Sequence, residues 1–427
     1  MSFSIRACLI GCLLSITLVH AQQVTIKTTK PTGIYKVGEG VVWHVQCSDH
    51  CDSMKYTLKK GALKEVESGY LSFTDGVAKL LYTFDAPGAI LLEVRWGEGQ
   101  EKRALGGAVA DMEKIALSES KPKDFDSFWK AKLKELKKTS NRSKLTKGES
   151  GLDNVDYWKI TMSNIRKSQI QGQLARPKEG EKLPALLIVQ WAGVYPLKKE
   201  WVVERANQGW LVLNIMAHDL PIDEQPNFYK RQADGPLKNY ASIGNDDPDN
   251  SYFLRMYLSC YKAVEYLTDR SDWDGETLVV MGDSQGGQQA LVTAGLHPSV
   301  TAAIALVPAG FDMLGPRVGR KGGWPQWYNN VEGKDPAKVR EASRYYDVAN
   351  FIPNIKCSVL VGVGLLDEVC PPEGILAGLN QLKIPKMVMV LPESTHQDKD
   401  GSQELFKTER DMVWLQSLQA GYGVPMR

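Results

Sequence analysis

A serine between closely spaced glycines is the feature of this chain that most clearly suggests covalent chemistry. Residues 282–286 read Gly-Asp-Ser-Gln-Gly, after an apolar run at 277–281 and before a helix-compatible run at 287–292. A strand, a G-x-S-x-G pentapeptide and a helix in this order are typical of a nucleophile elbow. The glycines leave room for the sharp turn that exposes the serine hydroxyl. The pattern predicts Ser284 as a nucleophile; the alternative is an ordinary turn between a strand and a helix.

A serine nucleophile needs a base, and two of the six histidines follow Ser284 in the chain. His297 comes about one helix length after the serine, where we expect a solvent-facing helix end. His396 lies in a polar loop after the strand-like run 386–391. The order of serine, acid and histidine in α/β-hydrolases places the base on such a late loop. We therefore predict that His396 accepts the serine proton, the alternative being a histidine of an ordinary surface loop.

The acid that orients the histidine should follow a strand between the serine and the histidine. Asp367 comes just after the apolar run 358–363 and 29 residues before His396, and two prolines follow it at 371 and 372. Glu368 is the competing carboxylate. The sequence thus predicts a Ser284, Asp367, His396 triad.

The elements that must position these residues follow from the pattern beyond Ile115. Strand-like and helix-like segments alternate there, which predicts an α/β fold with a doubly wound sheet. A helix is expected at 124–136, a loop up to Lys144, and the first antiparallel strands at 155–162 and 170–175. Two long segments at 221–250 and 315–334, the second with Trp324 and Trp327, are expected to be loops that form the walls of the substrate cleft.

Residues 22–112 have a different pattern, with short alternating runs separated by glycine-rich breaks. This spacing predicts a small all-β sandwich of immunoglobulin type. The sandwich could serve as a stabilising or spacing module, or bind sugar through Trp43 or Trp96. The predicted organisation is therefore a leader at 1–21, a β-sandwich domain at 22–112 and a catalytic domain at 113–427.

The first 21 residues have the features of a secretory signal peptide. Arg6 precedes an apolar stretch from Ala7 to Val19, and Val-His-Ala ends the segment. This predicts cleavage before Gln22 and a secreted or periplasmic protein, with lipidation at Cys12 as the less favoured alternative. In an oxidising compartment Cys47 and Cys51 could pair, or they could remain two free thiols.

Composition excludes several other classes of function. The formal net charge is only +2, which gives no reason to expect nucleic acid or a membrane surface as a partner. No later run of eighteen apolar residues suggests a membrane span. The sequence contains no CxxC, HExxH or GxGxxG motif, so neither a metal nor another cofactor is expected. Nothing in the sequence indicates the oligomeric state.

Three segments give the chain a family resemblance. Residues 282–287 read Gly-Asp-Ser-Gln-Gly-Gly, residues 364–372 read Gly-Leu-Leu-Asp-Glu-Val-Cys-Pro-Pro, and residues 121–129 read Lys-Pro-Lys-Asp-Phe-Asp-Ser-Phe-Trp. Together they resemble the acetyl xylan esterase/cephalosporin-C deacetylase family of α/β-hydrolases, over roughly residues 117–420. The resemblance implies removal of O-acetyl groups from an acetylated carbohydrate. Because every candidate catalytic residue lies beyond Met112, we expect the chain from Ile115 to hydrolyse a small acetyl ester alone.

The family pattern also suggests an oxyanion hole. One donor is expected to be the backbone N–H of Gln285, the residue after the nucleophile. The resemblance implies the N–H of Ala192 as the second donor, unless Ala192 and Gly193 form only a tight turn. Trp191 could line the pocket for the acyl group or the sugar, or it could simply pack against its neighbours.

The chain departs from the family at three places. Residues 190–194 read Gln-Trp-Ala-Gly-Val, where members of the family usually have His-Gly-Tyr after the strand. Residues 217–219 read Ala-His-Asp, where the family usually has Arg-Gly-Gln. In addition, Gln397 follows His396 where a glutamate is common. Trp191 and His218, in the two altered loops, are the candidate substrate-binding residues. Two other functions compete with the removal of O-acetyl groups. The first is another serine hydrolase activity, on peptides or long acyl esters, and the second is a non-catalytic carbohydrate-binding role.

Overall fold

The structure of the protein is a computed structural model that describes residues 23–48, 51 and 53–424. The predicted signal peptide, residues 1–21, lies outside the described residues. In the part of the chain that is described, no helix is both long enough and apolar enough to cross a membrane.

The N-terminal part consists of two sheets that share one hydrophobic core. Three strands form the first sheet in the order β1-β3-β6, and five form the second in the order β2-β8-β7-β4-β5. The strands are β1 (Val24–Thr28), β2 (Ile34–Tyr35), β3 (Gly40–Cys47), β4 (Met54–Lys60), β5 (Lys64–Leu71), β6 (Val77–Thr83), β7 (Gly88–Trp96) and β8 (Lys102–Ala110). Val41, Trp43 and Val45 alternate along β3 and point into this core. The predicted β-sandwich is confirmed. Cys47 and Cys51 form a disulfide.

The larger part of the chain is built on a mixed nine-stranded sheet with the order β17-β16-β15-β14-β12-β13-β11-β10-β9. The strands are β9 (Ser143–Gly148), β10 (Val155–Ser163), β11 (Gln169–Pro177), β12 (Leu183–Ile188), β13 (Leu211–Ile215), β14 (Trp273–Asp283), β15 (Ala302–Leu306), β16 (Ser358–Gly364) and β17 (Lys386–Leu391). The six strands from β12 to β17 pair in parallel, and β9 to β11 pair antiparallel. The doubly wound sheet is confirmed.

Helices cover both faces of this sheet because its central strands are apolar on both sides. The helices are α1 (Phe125–Leu136), α2 (Glu200–Asn207), α3 (Pro226–Asp234), α4 (Tyr252–Thr268), α5 (Gln285–Leu296), α6 (Pro336–Ser343), α7 (Pro372–Leu379), α8 (Glu404–Thr408) and α9 (Gln416–Gln419). Leu278 and Val280 of β14 face the core shared with α1, α4 and α5. Val279 and Met281 face the opposite core, which includes α2 and the C-terminal helices.

Two details differ from the sequence-based expectations. The segment predicted as a loop up to Lys144 runs into an additional edge strand, β9, in which five of six residues are exposed. Because β9 has no buried face, its sequence lacks the alternation of apolar and polar residues by which a strand is predicted. Lysines such as those of β9 are common on edge strands, where they prevent pairing with a further strand. The segment 221–250 is not all loop, because it contains α3 and a short 3₁₀ turn at Tyr240–Ser242.

Candidate active site

Ser284 lies in a strained turn between β14 and α5. Its backbone has φ 55° and ψ −118°, outside the conformations that a serine prefers. A Cβ atom on Gly282 would lie 2.7 Å from the Cα of Gly286, and one on Gly286 would lie 2.6 Å from the carbonyl oxygen of Val189. Both glycines are therefore required for the close approach of strand, turn and helix that characterises a nucleophile elbow.

The structure brings together the three residues of the predicted triad. The hydroxyl oxygen of Ser284 lies 2.9 Å from Nε2 of His396. Nδ1 of His396 lies 2.8 Å from Oδ2 of Asp367. The three residues follow β14, β16 and β17, whose carboxyl ends meet at the same edge of the parallel sheet. This geometry allows His396 to accept the serine proton while Asp367 orients the imidazole.

Asp367 rather than Glu368 occupies the acid position. Asp367 is 1 % exposed, and its Oδ1 accepts hydrogen bonds of 2.8 Å from the backbone N–H groups of Val369 and Cys370. These bonds fix one carboxylate oxygen, so that the other can accept from His396. Glu368 points elsewhere and forms an ion pair with Arg103, at 2.8 Å.

The two predicted oxyanion donors are backbone N–H groups that are free of other bonds. Within the described residues, neither the N–H of Gln285 nor that of Ala192 donates a hydrogen bond to the protein. Tyr240 holds the two donor segments together. Its hydroxyl accepts from the N–H of Gly193 at 3.2 Å and donates to Oε1 of Gln285 at 2.5 Å. Free, preorganised N–H groups are what a tetrahedral oxyanion requires.

His218 supports the loop that carries Ala192, residues 190–194 (the oxyanion loop). Both of its ring nitrogens are hydrogen-bonded within the protein, so neither is left for a substrate. His218 is 1 % exposed, its Nε2 donates to the carbonyl oxygen of Gly193 at 2.9 Å, and its Nδ1 accepts from the Tyr252 hydroxyl at 2.7 Å. Burial lowers the pKa of His218 to about 4, so the ring is neutral near pH 7. In place of the expected substrate contact, the structure therefore gives His218 a positioning role.

Trp191 lies at the surface beside the oxyanion loop. It is 44 % exposed and stacks on Tyr195, with ring centroids 5.2 Å apart, while Trp201 packs against it edge-on at 5.3 Å. Trp191 also lines a pocket of about 240 Å³ that contains Asp283, the residue before the nucleophile. The ring is thus partly open to a ligand and partly packed on two aromatic neighbours, and its substrate-binding role stays a prediction.

A larger cleft of about 440 Å³ lies on the Ala192 side of the oxyanion loop. Both long segments singled out in the sequence contribute to its walls. The lining residues include Ala192 and Gly193 from the loop, Asn239 and Tyr240 from the first segment, and Trp324, Asn330 and Glu332 from the second. An aromatic ring beside amide and carboxylate groups suits a ligand that is rich in hydroxyl groups.

Cys370 is the nearest reactive group that the triad does not use. Its sulfur, a carboxylate oxygen of Asp367 and a ring nitrogen of His396 lie within 4.8 Å of one another. These are atoms that could in principle ligate a metal ion. Burial raises the pKa of the Cys370 thiol well above its ordinary value, so the metal-free sulfur keeps its proton. Asp367 and His396 are also already paired with each other.

Some positions could not be assigned from the sequence. His297 does not face solvent as expected: it is 7 % exposed, packs on the Tyr261 ring at 4.5 Å and accepts from the N–H of Ser299. Tyr240 and Tyr252, which support the oxyanion loop, were not predicted. The local sequence around each tyrosine gives no sign of this role, which depends on their proximity to Gly193 and His218 in the structure.

Comparison with known proteins connects this geometry to named families. The family model described as Acetyl xylan esterase (AXE1) matches residues 108–418. The acetyl esterase Axe7A of Xylanibacter ruminicola is 36% identical over 279 residues, which are 64% of this chain and 63% of that protein. The chain thus matches less than two thirds of this relative's length.

Two solved structures show the same fold. The acetyl xylan esterase from Paenibacillus sp. R4 aligns with a TM-score of 0.59 and 22% identity, covering 69% of this chain and 96% of its own. Acetyl xylan esterase 1 from Thermoanaerobacterium sp. JW/SL YS485 aligns with the same score and identity, covering 70% and 96%. At this level of identity the likeness establishes the α/β-hydrolase fold of the aligned part.

Proposed function

The chain belongs to the acetyl xylan esterase family, and from this premise we propose that it is an exported serine esterase that removes O-acetyl groups from acetylated sugars or polysaccharides. The observation that carries the proposal is the continuous hydrogen-bonded path from Ser284 through His396 to Asp367. Beside it lie two backbone N–H groups that donate no hydrogen bond to any described residue. These are the parts that acyl transfer through a covalent intermediate requires.

The reaction follows from these positions. The Ser284 oxygen bonds to the acetyl carbonyl carbon while its proton moves to Nε2 of His396. The N–H groups of Gln285 and Ala192 stabilise the negative charge that develops on the carbonyl oxygen. The intermediate then collapses, the bond between the carbonyl carbon and the sugar oxygen breaks, and His396 gives its proton to that oxygen.

Water completes the cycle. His396 removes a proton from a water molecule, whose oxygen attacks the acetyl carbon of the acyl-enzyme. The bond to the Ser284 oxygen breaks, acetate leaves, and the proton returns to Ser284. In each half of the reaction Nε2 of His396 first accepts a proton and then donates it. Asp367 keeps Nδ1 of the same ring protonated throughout.

Two observations support the substrate class and the location. The cleft beside the oxyanion loop combines Trp324 with the polar side chains of Asn239, Asn330 and Glu332. Such a surface suits sugar hydroxyls better than a long acyl chain. The disulfide between Cys47 and Cys51 and the signal-like residues 1–21 both favour an oxidising compartment outside the cytoplasm.

The decisive experiment compares substrates with purified mature protein. We expect acetate release from acetylated xylo-oligosaccharides and, among esters of one leaving group, kcat/KM to fall from acetyl to butyryl by about tenfold and further to octanoyl. Ser284→Ala should lose activity by a factor on the order of 10⁶ while keeping its fold. A preference for octanoyl esters, or for peptides, would instead establish another hydrolase activity.

A further inference from the structure

The segment that carries Asp367, residues 364–373 (the acid loop), runs from the end of β16 into the first turn of α7 and packs directly against the β-sandwich. A Cβ atom on Gly107 of β8 would lie 2.7 Å from the carbonyl oxygen of Leu365 and 2.8 Å from its Cβ. A Cβ atom on Gly33 would lie 2.5 Å from the Leu365 side chain. Two glycines of the sandwich thus allow its backbone to touch the acid loop two residues before the catalytic acid.

Charged groups hold the acid loop to the sandwich at two points after Asp367. Arg103 of β8 forms an ion pair of 2.8 Å with Glu368, the residue next to the acid. At the far end of the loop, Glu373 is 8 % exposed and accepts a hydrogen bond of 2.8 Å from the N–H of Ala89 in β7. The loop is therefore fastened to β7 and β8 both at the acid and six residues later.

The acid loop in turn is bonded to the segment that leads to the catalytic histidine. The N–H groups of Leu365 and Leu366 donate to the carbonyl oxygens of Leu391 and Ser394, at 3.1 and 3.0 Å. A displacement of the acid loop would therefore alter the relative positions of Asp367 and His396. Misplacement of a catalytic group by about 1 Å can reduce the rate about 100-fold.

We propose that the β-sandwich is a working part of the catalytic centre, in which Arg103 and Gly107 position the acid loop and thereby the Asp367–His396 pair. The proposal rests on the proposed function, because it takes Asp367 as the catalytic acid. Arg103, Gly107 and Ala89 all precede residue 108, where the family match begins. The sandwich residues that position the acid loop thus lie outside the region that the family model matches.

This role differs from both roles that the sequence suggested for the sandwich, a spacer or a sugar-binding module. It also revises the expectation that the chain from Ile115 would be active alone, since that segment lacks every sandwich residue that touches the acid loop. The ion pair itself adds little to stability, because Arg103 is 44 % exposed and Glu368 23 %. Its effect is expected in the rate and not in the unfolding temperature.

The test uses full-length variants and a small acetyl ester that is too short to reach the sandwich. Arg103→Gln should lower kcat about fivefold or more with little change in KM, and Arg103→Lys should restore most of the loss. Some stability is lost as well, because Arg103 also pairs with the buried Glu93, at 3.1 Å. Lys59→Gln is the matched control, because it removes another cation from Glu93, at 3.4 Å, and leaves the pair between Arg103 and Glu368 in place. Glu368→Gln combined with Arg103→Gln should be no worse than either change alone.

Gly107→Ala provides a second, steric test, because its Cβ must push Leu365 away. We expect a larger fall in kcat with little change in KM, because the displaced acid loop moves the Asp367–His396 pair. A merely structural contact would lower the stability of the protein and leave kcat of the folded enzyme unchanged. Wild-type kcat in both Arg103→Gln and Gly107→Ala would overturn the proposal. Failure of the proposed function would look different, since Ser284→Ala or Asp367→Asn would then remain active.

Discussion

The Nε2 atom of His218 lies 2.9 Å from the carbonyl oxygen of Gly193, the residue that follows the predicted oxyanion donor Ala192. Tyr240 binds the N–H group of the same glycine from the neighbouring segment. The peptide units around Gly193 are thus held on both sides before any substrate arrives. Because an oxyanion hole works by having its donors fixed in advance, these two side chains should affect the rate without touching the reacting atoms.

Replacing Tyr240 with phenylalanine should slow the chemical step. The change leaves the N–H of Gly193 and Oε1 of Gln285 without their common partner and frees the oxyanion loop to shift. Loss of an oxyanion donor itself costs about 10²–10³ in kcat, so an indirect displacement should cost about tenfold or more. The measurement is kcat and KM for a small acetyl ester, together with the unfolding free energy.

Tyr229→Phe is the matched control for this experiment. Tyr229 is also buried, and its hydroxyl binds two backbone groups, the N–H of Glu224 and the carbonyl oxygen of Pro221. Both variants should lose about 1–3 kcal/mol of stability, because each leaves buried polar groups unpaired. Only Tyr240→Phe should lose activity. Equal kcat in the two variants would show that Tyr240 does not position the oxyanion loop.

Acid should destabilise the protein partly through buried histidines. Burial lowers the pKa of both His218 and His297 from 6.5 to about 4. The unfolded chain therefore binds protons that the folded chain excludes as the pH falls from about 6.5 towards 4, and stability is lost over that window. Between pH 7 and pH 5 each histidine should account for about 2 kcal/mol.

His297 allows this to be measured away from the active site. Asparagine offers an acceptor for the Ser299 N–H but does not titrate, so His297→Asn should lose about 2 kcal/mol less than wild type between pH 7 and pH 5. Urea unfolding at the two pH values gives the difference. Parallel losses in the two proteins would mean that His297 is protonated as easily in the folded state as in the unfolded one.

The serine, the histidine and the acid could be located from the sequence because each is tied to a local pattern. Ser284 has a strand, two glycines and a helix around it, and Asp367 and His396 follow short apolar runs that indicate strands. Such local patterns determine which edge of the sheet a residue reaches. They do not determine what packs against that edge from a distant part of the chain.

The roles of His218, Arg103 and β9 depend on contacts of that second kind. His218 became a support because Tyr252 and Gly193 meet it from separate segments, and the pairing of Arg103 with Glu368 joins residues 265 positions apart. The local pattern of apolar and polar residues predicts neither contact. Conversely, β9 depends on pairing with the edge of β10, since its side chains are mostly polar and exposed and even Leu145 is 41 % exposed.

The choice between the two neighbouring carboxylates can be tested directly. Asp367→Asn keeps the shape of the side chain but does not stabilise the imidazolium, and the same change in a serine-protease triad lowers kcat about 10⁴-fold. We expect a loss of similar order here, measured as kcat on a small acetyl ester. Glu368→Gln should lose far less, because Glu368 acts only through its ion pair with Arg103. A larger loss in Glu368→Gln would reassign the acid.

The last prediction concerns the contact between the nucleophile elbow and the oxyanion loop. An alanine Cβ at Gly286 would lie 2.6 Å from the carbonyl oxygen of Val189 and 3.2 Å from the carbonyl carbon of Gln190. Backbone on both sides must move, and the movement displaces Ala192. Gly286→Ala should therefore reduce kcat about 100-fold and stability by about 1–3 kcal/mol.

Gly287→Ala, one position later in α5, provides the comparison. Its Cβ would meet Pro308 at 3.0 Å and the Ala305 side chain at 3.2 Å, on the side of β15 and away from the oxyanion loop. We expect a smaller loss of stability, because the nearest contact of the added Cβ is 3.0 Å instead of 2.6 Å, and kcat within a few-fold of wild type. If Gly287→Ala were as inactive as Gly286→Ala, crowding of the helix as a whole would explain both effects, and the specific link between Gly286 and the oxyanion loop would be wrong.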